Sequence, residues 1–91
     1  MKLYYFIPKQ PDFSIEINDV EIDCVADYKI IMPDYAKIGY IKLNHVNASI
    51  FDWNTETSVV YKLNQSEFKQ IEELMNEQYR EIEQRKIERN A

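Results

Sequence analysis

The stretch LNQSEFKQIEELMNEQYREIEQRKIER, Leu63 to Arg89, decides the fold, because here alone the sequence has a clear helical period. Phe68, Ile71, Met75, Tyr79 and Ile82 recur at steps of three or four residues and so share one narrow stripe, with Leu74 at its edge. The start is written as clearly. Asn64 is placed to cap the free N–H groups of the first turn, Glu67 completes a capping box, and Leu63 and Phe68 occupy the positions of a hydrophobic staple. The spacing predicts a helix over about 64–89. A helix with one apolar stripe must bury it on something, and residues 1–63 carry no comparable stripe. We therefore expect an α+β chain, with an antiparallel sheet of about five or six strands over 1–63 and one long C-terminal helix packed on it.

The end of the helix reads differently from its start. Ile87 lies off the stripe, and Arg85, Lys86, Glu88 and Arg89 around it are charged. A helix of roughly 36 Å on a body about 30 Å across is expected to project.

Upstream, Lys2 to Ile7 is a β-rich aromatic run closed by Pro8, and Gln10-Pro11-Asp12 reads as a turn. Phe13, Ile15 and Ile17 alternate with polar residues, and the phase inverts across Asn18-Asp19 so that Val20, Ile22 and Cys24 become the apolar set. With Asn18-Asp19 as a two-residue loop, Ile17 faces Val20, Ile15 faces Ile22 and Phe13 faces Cys24; both loop residues tolerate the left-handed backbone of such turns. The alternation runs on to Met32, longer than most strands, which predicts a bend or bulge near Val25 to Asp27. Pro33 to Lys37 breaks the run. Ile38 to Leu43 resumes a strand with Gly39 inside it, where a bulge or a close backbone approach is the expected reason for glycine. Asn44 to Asn47 fits a turn or a continuation. Ala48 to Trp53 and Ser58 to Leu63 form a last hairpin around Asn54 to Thr57, apolar on both faces, so that the face without the helix needs another cover.

A chain of 91 residues reads as one domain, 1–91. Its 16 acidic and 11 basic residues, net charge −5, oppose nonspecific binding to nucleic acid or anionic membrane and favour a basic protein partner. Cys24 is the sole cysteine and the first apolar run is too short for a signal peptide or a membrane span, so we expect a cytoplasmic protein.

Catalytic apparatus is hard to find. Cys24 lies on the apolar phase of its strand, where a thiol is inert, and His45 has no carboxylate at local spacing to orient it. One glycine makes no phosphate-binding loop, and one histidine with one cysteine makes no zinc site. Asp19, Glu21 and Asp23 fall on one strand face without the glycine-bearing loop that wraps calcium. No catalytic residue, cofactor or metal is therefore expected.

Charge on the hairpin is more informative. Its register sets Glu16 opposite Glu21 and Ser14 opposite Asp23, with Asp12, Asp19 and Asp27 nearby; between Asp12 and Asp34 seven carboxylates face only Lys29. Like charges directly opposite each other cost about 0.2–1 kcal/mol. The cluster is either a functional surface or protection of an exposed edge. Tyr35 in the proline-containing loop and Trp53 beside the last turn are the aromatics expected to be exposed, and such residues anchor interfaces. The partner-binding candidates are thus Glu16, Asp19, Glu21, Asp23, Asp27, Tyr35 and Trp53.

In size, acidity and lack of catalytic apparatus the chain resembles small phage inhibitors, and its bias toward Phe, Tyr, Met, Ile, Asn and Lys over Gly, Ala, Arg and Pro is that of AT-rich coding DNA. The resemblance implies an anti-CRISPR or anti-restriction type of inhibitor, acting in a host cytoplasm on the basic nucleic-acid-binding surface of a host nuclease or other nucleic-acid-binding protein. The alternative is an assembly protein that forms homo-oligomers through the projecting helix and the second sheet face.

Overall fold

The computed structural model describes residues 1–89; the last two residues of the expected 1–91 domain lie outside them. Five strands, β1 (Lys2–Tyr4), β2 (Asp12–Ile17), β3 (Val20–Ile31), β4 (Tyr40–Asp52) and β5 (Thr57–Tyr61), form one antiparallel meander in sequence order, followed by helix α1 (Gln65–Arg89). This is the α+β arrangement expected from the stripe.

The hairpin register is as the phase inversion requires. Ile17 pairs with Val20, Ile15 with Ile22, Phe13 with Cys24 and Glu16 with Glu21, while Asn18 and Asp19 both take the left-handed backbone (φ 51° and 64°). Val20 is nonetheless 43% exposed, because it lies at the hairpin end, away from the core.

Elsewhere the boundaries move. β1 ends at Tyr4 rather than Ile7: Tyr5 turns to φ 63°, and Phe6 is carried into the core against Phe13 and Tyr28. The bulge expected on β3 sits on its partner instead. Asp27 pairs with His45 and Tyr28 with Leu43, so Asn44 is the extra residue. It switches the buried phase of β4 from Ile41 and Leu43 to Val46, Ala48 and Ile50, which is why one 13-residue strand reads as two. Gly39 stands just before β4, not inside a strand, and its reason is close approach, since a Cβ there would collide with the carbonyl oxygen of Ile31. The last loop is Trp53 to Glu56, one residue earlier than expected, with Glu56 at φ 54°.

The core lies between one sheet face and the helix. Ile15, Ile22, Ile41, Ile71 and Met75 are its most deeply buried large side chains, with Tyr79 closing one end. Phe68 and Leu74 are half-buried on this core, whereas Ile82, also half-buried, lies outside it. The capping box is reciprocal. The Glu67 N–H donates to Asn64 Oδ1 at 2.7 Å, and the Asn64 N–H donates to Glu67 Oε1 at 3.0 Å. The other Glu67 oxygen accepts from the Tyr61 hydroxyl at 2.7 Å, tying the helix start to the last strand.

β5 pairs with Ala48 to Asp52 only, which leaves the Tyr40–Leu43 edge of β4 without a neighbouring strand. Side chains of the helix take its place. Asn76 accepts the Ile41 N–H on Oδ1 at 2.7 Å and returns an N–H to the Ile41 carbonyl at 3.0 Å, and Glu72 accepts the Leu43 N–H at 2.8 Å. The carboxamide thus reproduces the paired donor and acceptor of an adjacent strand. Beyond this contact Gln78 donates to the Leu3 carbonyl at 3.2 Å and Tyr79 is buried, and only from Gln84 to Arg89 is every helix residue exposed; the molecule measures 51 × 24 × 20 Å, longer than the 30 Å body expected.

Candidate protein-interaction surface

Directly paired residues of antiparallel strands point to the same side, so the register sorts the sheet into two faces. The inner face carries Leu3, Phe13, Ile15, Ile22, Cys24, Ala48 and their neighbours under the helix. The outer face carries Glu16, Ser14, Glu21, Asp23, Val25, Asp27 and, from β4 and β5, His45, Asn47, Ser49, Phe51, Ser58 and Val60. Helix α1 belongs to the inner-face core, and the outer face is exposed at Glu21, Asp23, Val25 and Asp27 while Ser14 near its β1 edge is buried. The second apolar phase of the last hairpin therefore meets solvent, with Val60 78% exposed.

The carboxylates gather on this face. Glu16 and Glu21 are directly opposed, at a typical Cβ separation of about 5 Å, and Asp23 follows Glu21 about 6.6 Å along the strand, with Asp27 two further steps on. Glu21, Asp23 and Asp27 are exposed; Glu16 is half-buried. Two neighbours correct the charge balance read from sequence. Lys2, opposite Glu16 across β1, approaches it to 4.0 Å and offsets part of the hairpin charge. Lys29, by contrast, stands opposite Lys42, so it belongs to a basic end of the face rather than to the acidic one. The outer face is polarised, acidic toward the hairpin turn and basic toward the 32–39 connection.

Of the other candidates, Asp19 occupies the second turn position with φ 64° and does not share a strand face with Glu21 and Asp23. Trp53 is 83% exposed and crosses Phe51 edge to face at 4.6 Å, and these two rings join Glu21 and Asp23 around a recess of ≈ 400 Å³. Tyr35 is 95% exposed but lies past the far end of β3, whose Ile31 is eight residues beyond Asp23, about 26 Å along the strand. The fold thus brings together Glu16, Glu21, Asp23 and Trp53, reaches Asp27, and leaves Tyr35 apart.

Cys24 and His45 complete the inventory. Burial pushes the Cys24 thiol up to about 12, with the adjacent Asp23 carboxylate adding to the effect, and the thiol points to the Ile22 carbonyl at 3.8 Å. Such a group is no nucleophile. His45 does have a carboxylate opposite it, Asp27, which its own strand could not reveal; its Nε2 lies 2.9 Å from Asn47 Oδ1. Among the described residues no three His, Cys, Asp or Glu side chains gather as a metal site, and no helix is long and apolar enough to cross a membrane.

Sequence reasoning missed Phe51 as the partner of Trp53 and Lys2 as the partner of Glu16. The first needs the turn placed at Trp53 and β4 set beside β3, and the second is readable only once β1 is paired with β2. No protein-family model, curated protein or solved structure matches the chain.

Proposed function

We propose that the chain is a non-catalytic acidic interaction module whose outer sheet face docks on a basic, nucleic-acid-binding surface of a protein partner. One observation carries this reading: the face that its own chain leaves uncovered is where Glu16, Glu21, Asp23 and Asp27 collect beside the exposed Trp53. Directly opposed glutamates weaken a strand pair, so they serve the sheet poorly and an arginine- or lysine-lined groove well. Docking there excludes the partner's nucleic acid. Encoded by a phage, such a module would act as an anti-CRISPR or anti-restriction inhibitor of a host nuclease in the host cytoplasm. It binds no nucleic acid itself, since phosphates are repelled by the same carboxylates.

The test uses the immobilised chain to capture its partner at low salt. The captured protein should elute with rising salt and with added duplex nucleic acid, and Glu21→Lys with Asp23→Lys should abolish capture while leaving circular dichroism unchanged. Capture that is indifferent to both reversal and nucleic acid refutes the reading.

A second reading, assembly through the helix end, is favoured by the exposed final turns and Ile87 among them. It predicts oligomers by light scattering that disappear on truncation after Gln84 and resist salt.

A further inference from the structure

We propose that the recess lined by Glu21, Asp23, Phe51 and Trp53 is an arginine-binding subsite, which anchors a guanidinium side chain of the basic partner. The proposal rests on the acidic-face reading above and adds a chemical preference that charge alone does not give.

What singles out this recess is the aromatic pair rather than the carboxylates. Phe51 comes from the outer face of β4, opposite Ser58, and Trp53 opens the turn that follows Asp52. The Asp52 carboxylate accepts the Asn54 N–H at 2.9 Å, which fixes the start of that turn. Phe51 and Trp53 then meet at 75°, a geometry that holds the indole in place while leaving most of it in water. An indole that is 83% exposed contributes little to folding and leaves ring surface at the recess free for a ligand. Across the recess, Glu21 and Asp23 form no ion pair among the described residues, and Asp23 accepts one long bond, from the Ser14 hydroxyl at 3.4 Å.

A lysine ammonium is a compact, strongly hydrated charge that the carboxylates alone would satisfy. A guanidinium is planar and more weakly hydrated, stacks on an indole, and presents several N–H groups to two carboxylates together. Two carboxylates facing two rings therefore select arginine over lysine at equal charge. The complement is a basic partner surface with an arginine at its centre.

Trp53 is the only tryptophan, so its emission reports on the recess directly. The full chain is titrated at low salt with hexa-arginine and hexa-lysine peptides. Hexa-arginine should bind about two- to five-fold more tightly and shift the Trp53 emission, whereas hexa-lysine should bind without the shift. By calorimetry, Trp53→Leu should bring the two affinities together while salt-sensitive binding of both persists, and Trp53→Phe should retain part of the preference. Equal affinities in the unsubstituted chain, or a preference that survives Trp53→Leu, overturn the subsite and leave the acidic face standing. Absence of salt-sensitive binding by either peptide overturns the acidic-face reading, and the subsite with it.

Discussion

Replacing Asn76 by alanine tests whether a side chain can substitute for a missing strand. The carboxamide holds both backbone polar groups of Ile41, a residue only 1% exposed, and also donates to the Glu72 carbonyl one turn back. Alanine removes all of these bonds together. An unsatisfied buried group costs about 1–3 kcal/mol, but a groove of ≈ 470 Å³ alongside Asn76 admits water to this edge, which places each of the two Ile41 groups near the lower limit. Alanine also suits a helix interior better than asparagine by about 0.5 kcal/mol, which offsets part of the loss. The net expectation is destabilisation by about 1.5 kcal/mol, equivalent to a fall in Tm of about 6–12 °C for a chain of this size. Urea unfolding followed by circular dichroism measures the loss, and hydrogen exchange at the Ile41 amide localises it. Glu73→Ala, on the exposed side of the same helix, serves as the control and should change stability by less than about 0.5 kcal/mol. If Asn76→Ala matches that control, or if the Ile41 amide keeps its protection, the edge is not held by the helix and the argument fails.

Ile71→Ala and Met75→Ala, both at fully buried positions, should each cost about 2–5 kcal/mol in urea unfolding. Truncation after Gln84 should leave the melting temperature of a monomer nearly unchanged. Asp19→Gly should stabilise the hairpin by about 0.5–1 kcal/mol, because glycine takes a positive φ without the Cβ clash; unchanged or lowered stability would count against the two-residue turn. Alkaline pH should destabilise the fold. The Cys24 thiol ionises from its ordinary 9.0 in the unfolded chain but only near 12 in the fold, and burial raises the Tyr28 and Tyr79 hydroxyls in the same direction. Ionisation thus favours the unfolded chain, so stability is full below pH 9 and falls between 9 and 12, with about 1.4 kcal/mol per pH unit as the limit for one proton. Urea midpoints against pH should fall less steeply in Cys24→Ala; identical slopes would show that the thiol does not contribute.

Local sequence carried the features that depend on near neighbours. The inversion across Asn18-Asp19 specifies one hairpin register, and Asn64 with Glu67 specifies one helix start, because the groups involved are within a few residues of each other. What was illegible depends on residues far apart. Asn44 looks like turn chemistry until it is seen to add one residue to a continuous strand, and Asn76 reaches a backbone 35 residues away. A sign of the latter was present, since asparagine is a poor helix former and stands mid-helix beside the stripe. For the candidate surface, alternation correctly put Glu16 and Glu21 side by side. Only strand order could add Lys2 and Phe51, remove Lys29 to the basic end and separate Tyr35 from Trp53.

The meander order has a consequence for synthesis. Each strand pairs with the one made just before it, so the sheet needs nothing downstream to form as the chain leaves the ribosome. Its cover arrives late. At about 5–20 residues per second, the residues from 64 to 89 take roughly one to five seconds to follow. During that interval Ile15, Ile22, Ile41 and Leu43 face water, and the Tyr40–Leu43 edge is open to any other nascent strand. The helix that follows is therefore the chain's own protection against aggregation, and a stop codon near residue 63 would leave a sticky sheet rather than a slightly weakened module.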